Sequence, residues 1–317
     1  MNYRRLGRAG VKVSEVSLGS WLTYGNATEN NTAQGCIEKA YDLGINFFDT
    51  ANVYARGESE KVVGASLKPY RRDSYVLATK VFFPMGDGPN DGGLSRKHIM
   101  EQAHLSLQRL GTDYIDLYQC HRYDDTVPLD ETLRALDDLV SQGKVLYVGV
   151  SQWSAKNIAD ALQLSEKWGF DRIVSNQPVY NALNRDLEKE VMPLCEKEGI
   201  GQVVYSPLAQ GVLTGKYQPN QAPPADSRAA DPKQNQFLNP EKLDAAQLER
   251  VQNLKPLAEK VGLSLPQLAL AWCLRKENVS SVIIGASRPA QVEDNVKGSG
   301  ADVSPETWQE MDAILGV

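Results

Sequence analysis

Eight short apolar runs alternate with amphipathic stretches of helical period, and this alternation limits the fold more than any single motif does. The runs fall at 14–21, 45–49, 75–80, 115–118, 146–150, 173–176, 203–206 and 281–284. Short, nearly continuous apolar strands fit a parallel sheet buried on both faces by helices. Between them, 32–43 places Cys36, Ala40 and Leu43 on one stripe, and 95–110 does the same with Ile99, Ala103, Leu107 and Leu110. The segments 129–140, 155–168 and 187–198 share that period. Gly44, Gly111, Gly143, Gly169, Gly199 and Gly262 stand where helices should close, because the closing residue must tolerate positive φ. Eight βα units favour an α/β fold of the (β/α)8 TIM-barrel kind over an open doubly wound sheet. Residues 1–317 are read as one domain. A β-hairpin over 3–13 is expected to cap the barrel bottom, and 305–315 to form an extra C-terminal helix. The segment 218–240, rich in Pro, Ala, Asp and Asn, is expected to be a long loop on the active face, a candidate lid.

Charge and cysteine usage narrow the class. A net charge of −6 without a basic stripe argues against nucleic acid as a partner. The four cysteines form no C-x-x-C pair, so a zinc site or disulfide framework is not expected, and a reducing cytoplasm fits best. No uninterrupted apolar segment is long enough for membrane insertion, and the start, MNYRRL, has no apolar signal core. His98 and His104 lie six apart on one helix, which is not ligand spacing, so no metal site is predicted.

Three successive strands deliver reactive groups to one rim. The second ends in Asp49, with Tyr54 in the loop beyond it; the third ends in Lys80; the fourth runs to His121. In a barrel, the C-terminal strand ends carry the chemistry. Singly, each residue has an ordinary reading: a turn-capping acid, a rim phenol, a solvated lysine, a loop histidine. Together they form a set suited to reducing a carbonyl. The alkoxide that develops needs a proton, which Tyr54 can give. Lys80 can make the phenol more acidic, Asp49 can hold the ammonium, and His121 can orient and polarise the carbonyl. No G-x-G-x-x-G follows the first strand, so a Rossmann cofactor site has no support. The stretch 211–216 is one residue short of a phosphate loop, and Tyr217 stands where Ser or Thr should be. A better anion site is 283–295, a strand, a loop with Ser287 and Arg288, and a helix opened by Pro289.

The segments YRRLGRAGVKVSEVSLGSW, GINFFDTANVYARGESEKVVG, GLSRKHI, YSPLAQGVLTGKY, LPQLALAWCLR and SSVIIGAS resemble the aldo-keto reductase superfamily. The sequence looks most similar to the branch holding voltage-gated potassium channel β subunits and their bacterial relatives. The resemblance implies a barrel that binds NADPH/NADP+ in extended form, with Asp49, Tyr54, Lys80 and His121 as the catalytic set. It implies that Ser151, Asn176 and Gln177 hold the nicotinamide carboxamide and that Tyr205 stacks on the ring. Ser206, Leu208, Gln210 and Lys216 would bracket the pyrophosphate, and Ser227 with Arg228 would clasp the cofactor. Gly285, Ser287, Arg288, Gln291, Asp294 and Asn295 would hold the adenosine end, with Arg288 favouring NADPH over NADH. Trp21 counts both among the cofactor contacts and, with Phe82, Phe83 and Trp153, in an apolar substrate wall. Animal channel subunits have asparagine where this chain has His121, which argues that carbonyl turnover is kept. The expected function is NADPH-dependent reduction of aldehydes and ketones to alcohols, with a small carbonyl compound as substrate. Net alcohol oxidation is a weaker option. The alternative is a cofactor-sensing regulatory subunit on an ion channel or other partner, with slow turnover. The related branch forms tetramers and other reductases are monomers, so oligomeric state stays open.

Overall fold

The computed structural model describes residues 1–21, 24, 30–232, 235, 238, 241 and 243–316, with only the backbone of Asn30. Two strands, β1 (Tyr3–Arg5) and β2 (Lys12–Ser14), form an antiparallel hairpin in which Arg4 faces Val13. Eight more strands close a parallel barrel: β3 (Val16–Gly19), β4 (Phe47–Asp49), β5 (Val76–Val81), β6 (Ile115–Cys120), β7 (Val145–Ser151), β8 (Ser175–Gln177), β9 (Gly201–Val204) and β10 (Val279–Ile284). Each pairs with the next, and β10 returns to β3. The helices are α1 (Asn30–Asp42), α2 (Glu58–Leu67), α3 (Arg96–Leu110), α4 (Leu129–Ser141), α5 (Ala155–Trp168), α6 (Val191–Glu198), α7 (Ala245–Gln252), α8 (Lys255–Lys260), α9 (Leu265–Leu274), α10 (Pro289–Asn295) and α11 (Pro305–Leu315). The expected (β/α)8 barrel, its hairpin and its final helix are therefore present. Among the described residues no helix is long and apolar enough to cross a membrane.

The barrel interior has two storeys. At the lower one, Leu6 and Val13 of the hairpin region pack with Phe47, Val76, Ala78, Leu117, Val203 and Ile283. Arg4 ties the hairpin down by donating to the carbonyls of Leu274, Lys276 and Val279 while pairing with Glu15 at 2.7 Å. The upper storey is polar: Asp49, Lys80, Gln119 and Gln177 are all buried there.

Several boundaries differ from the sequence reading. The first run, 14–21, is divided, because the Ser14 hydroxyl donates to the Val16 carbonyl and Ser14 belongs to β2. Ile45 is buried but outside β4, since its N–H is taken by the Ala40 carbonyl at the end of α1. The stretch 187–198 breaks at Glu190 (φ −135°), so only Val191–Glu198 is α-helical. The helix α2 was not foreseen, nor was α9, whose residues are buried all round and leave no stripe to read. The candidate lid lies partly outside the described residues.

Helix α2 packs hard on the end of α3. A Cβ on Gly64 would sit 2.2 Å from the Leu110 carbonyl oxygen, a backbone atom that cannot swing aside. Gly64→Ala is expected to lower unfolding free energy by about 1–3 kcal/mol through overpacking. Urea denaturation reads this, and a midpoint equal to wild type would mean that the two helices separate freely.

Candidate active site

The four residues from successive strand ends converge. Lys80, on β5, is fully buried, with its Nζ 2.5 Å from Asp49 Oδ2, 2.9 Å from the Thr50 carbonyl and 3.2 Å from the Tyr54 hydroxyl. The other oxygen of Asp49 accepts from Gln177 Nε2 at 2.8 Å and Gln119 Nε2 at 3.3 Å. The His121 ring stands edge-on to Tyr54, centroids 5.6 Å apart. Parallel pairing sets this arrangement: Lys80 is in register with Gln119, and Ser151 with Gln177.

Burial governs the protonation states. It lifts the Tyr54 phenol above its ordinary value, although Lys80 pulls the other way. The expectation of a more acidic phenol thus holds for the contribution of Lys80 but not for the sum, and Tyr54 rests protonated. Burial also works against the Lys80 ammonium, yet Asp49 and Tyr54 outweigh it and hold its pKa above the usual lysine value. His121 is driven well below the ordinary imidazole value by burial, then by the positive charges of Lys80 and Arg122. It is therefore neutral, and its buried Nδ1 has no partner among the described residues.

These groups open onto a cavity of about 1530 Å³. Asp49, Tyr54 and His121 line one end, while Lys80 lies behind Tyr54. Trp21, Ser151, Gln177, Tyr205, Ser206, Leu208, Gln210, Lys216, Arg228, Gly285, Ser287, Arg288, Gln291, Asp294 and Asn295 also line it. Asn176 does not: it donates to Gln202 Oε1 at 3.2 Å, next along β8 from Gln177 and so on the other side of the strand. Of the four aromatics expected in the substrate wall, Trp21 and Phe83 line the cavity. Phe82 supports Phe83 edge-on at 5.2 Å, and buried Trp153 packs against Tyr123 at 4.9 Å.

The far end of the cavity gathers three cations. Lys216, Arg228 and Arg288 form no ion pair among the described residues. Burial, then Arg228 and Arg288, depress the Lys216 pKa, and burial depresses that of Arg228. Asp226, which also lines the cavity, works the other way on Lys216, and Lys216 and Arg288 are exposed to the solvent that fills this end. Ser227 Oγ and Gln210 Oε1 are buried nearby without described partners. The backbone is strained around the cavity: Ala55, next to Tyr54, and Ser206, Ala209 and Gln210 all line it and have positive φ. Non-glycine residues held there concentrate at functional sites.

The sequence matches the family described as "Aldo/keto reductase family" over residues 15–315. It is 43% identical over 308 residues to a "Probable voltage-gated potassium channel subunit beta" of Arabidopsis thaliana, covering 96% of this chain and 92% of that protein. A protein with the same description from Oryza sativa subsp. japonica is 41% identical, covering 99% and 97%. A "Putative voltage-gated potassium channel subunit beta" of Schizosaccharomyces pombe is 44% identical, covering 99% and 93%.

The chain belongs to the aldo/keto reductase family.

Membership assigns this aldo/keto reductase to oxidoreduction in general. Sequence reasoning missed Gln119, which shares Asp49 with Gln177. The signal was a lone amide within an apolar strand, two residues before His121 and so on the same face. Arg122 also escaped notice, although it lines the cavity of this aldo/keto reductase beside His121.

Proposed function

We propose that the protein reduces aldehydes and ketones to alcohols with NADPH. The observation that carries this reading is the buried relay Asp49–Lys80–Tyr54, 2.5 and 3.2 Å between successive partners, ending in a protonated phenol beside a neutral histidine. Lys216, Arg228 and Arg288 would hold the phosphates of NADPH, with Ser227 and Gln210 offering polar atoms that have no described partner. Ser151 and Gln177 would meet the carboxamide, and Tyr205 the nicotinamide face. When bound, the cofactor supplies hydride to the carbonyl carbon.

The chain's own groups manage the proton. The neutral His121 donates a hydrogen bond to the carbonyl oxygen and fixes its direction. Tyr54 passes its hydroxyl proton to that oxygen as negative charge develops there. The resulting phenolate faces the Lys80 ammonium at close range, so Lys80 attracts the group more strongly after transfer than before. An interaction that grows along the reaction lowers the barrier rather than merely binding substrate. Asp49 keeps Lys80 charged and in place, and does not touch substrate.

Following loss of NADPH absorbance with a panel of aromatic and aliphatic aldehydes tests the reading. Steady turnover is expected, and tight NADPH binding with no turnover of any carbonyl would sink it. Arg288→Ala is expected to weaken NADPH binding by about tenfold or more, the value of a charge-assisted contact, with little change for NADH. Equal losses for both cofactors, by fluorescence titration, would remove the assignment of Arg288 to a 2′-phosphate.

The relatives are described as voltage-gated potassium channel β subunits, which favours a second reading, a subunit that docks on a channel. A complete relay with histidine at 121 favours the enzyme.

A further inference from the structure

The cavity holds three arginines, and none takes part in an ion pair among the described residues. Elsewhere in the fold, partly buried arginines are matched with acids, as Arg72 is with Asp116 and Arg109 with Glu60. Arg228 and Arg288 lie at the cofactor end, but Arg122 belongs to the opposite end. It follows His121 directly, and one guanidinium nitrogen donates to the His121 carbonyl at 2.5 Å. Its other nitrogens donate to no described residue. The guanidinium lies 5.4 Å from the centre of the Phe83 ring, which stands edge-on to His121 at 4.9 Å. The acid nearest in sequence, Asp124, is occupied elsewhere: it accepts from the Leu94 N–H at 2.8 Å and from Thr126.

A half-buried guanidinium with free donors, at the lip of a site that orients a carbonyl, lacks one thing only, a planar anion. We infer that Arg122 selects carbonyl substrates that also carry a carboxylate, placed across Phe83 from the reacting group. This rests on the reductase reading above and adds the substrate class. The short path from Tyr54 through His121 and Phe83 to Arg122 means a compact acid, with the aldehyde and carboxylate at opposite ends of one ring or a short chain. Phe83 supplies the apolar floor between them, and its ring face also holds the guanidinium.

The test compares 4-carboxybenzaldehyde with its methyl ester, and succinic semialdehyde with pentanal, each with NADPH at low and high salt. Wild-type kcat/KM is expected to favour the acid of each pair by about ten- to a hundredfold, chiefly through KM, and less at high salt. The acid-to-neutral ratio should fall towards one in Arg122→Gln and recover in part in Arg122→Lys, with both variants melting as wild type does. Turnover of the neutral partners with no preference for the acids, or a preference that persists in Arg122→Gln, overturns the inference and leaves the reductase reading intact. If neither member of a pair is turned over, that reading fails, and calorimetric titration with 4-carboxybenzaldehyde decides the rest. Binding at least tenfold weaker in Arg122→Gln supports the site, and equal binding overturns it.

Discussion

Tyr54→Phe is expected to cut kcat/KM for aldehyde reduction by about 10²–10⁴-fold, the range for losing a general acid. The change removes one oxygen and keeps the ring that stands against His121 and Trp21. Lys80 retains two of its three acceptors, Asp49 and the Thr50 carbonyl, so the ammonium stays paired and the upper storey stays folded. NADPH affinity should change little, because the anion-binding residues lie at the other end of the cavity. Cofactor titration and circular dichroism on the same preparation separate lost chemistry from lost structure. A loss smaller than tenfold would move the proton-donor role to another group.

Lys80→Met should abolish turnover and also cost stability. The side chain is fully buried, and its removal leaves the Asp49 carboxylate buried without its cation, a situation that costs about 3–5 kcal/mol in comparable pairs. The two amides on Oδ1 remain and offset part of that loss. Asp49→Asn in the same chain should recover some of the stability but no activity, and the double-mutant cycle gives the coupling. The sign of the pH dependence follows from the raised Lys80 pKa. The ion pair contributes fully below the unfolded lysine value, about 10.4, and is lost as pH rises through the folded value. Wild type should therefore show an alkaline loss that Lys80→Met lacks. Urea midpoints within experimental error of wild type for Lys80→Met would mean that Asp49 is not held as an ion.

The parts of this site that local sequence could reveal are those fixed by strand ends. Asp49, Lys80 and His121 were legible because a parallel barrel brings every strand to the same rim, so rank along the chain becomes position around a ring. Gln119 was harder, since its role depends on which oxygen of Asp49 remains available once Lys80 has taken the other. The net rise of the Tyr54 pKa was not legible at all. It is set by how much water the surrounding loops exclude, and no residue spacing encodes that. Asn176 shows the opposite failure: adjacency to Gln177 on β8 puts it on the other face, and motif similarity alone gave no reason to choose between the two. Among the elements, α9 escaped because periodicity reports a contrast between two faces, and a helix buried all round has none.

The two-storey interior divides this molecule into a foundation and a workshop. In the lower layer, Leu6, Val13, Phe47 and Val203 are apolar and stand outside the cavity lining, whereas the upper layer is held by amides and charges around one carboxylate. Substitutions at these four should therefore move melting temperature and leave rate constants alone. Those around Asp49 should alter both, because there the contacts that hold the strands together are the same contacts that ready the proton. A search for new activities in this scaffold has most room in the loops and least in the ring of side chains directly beneath them.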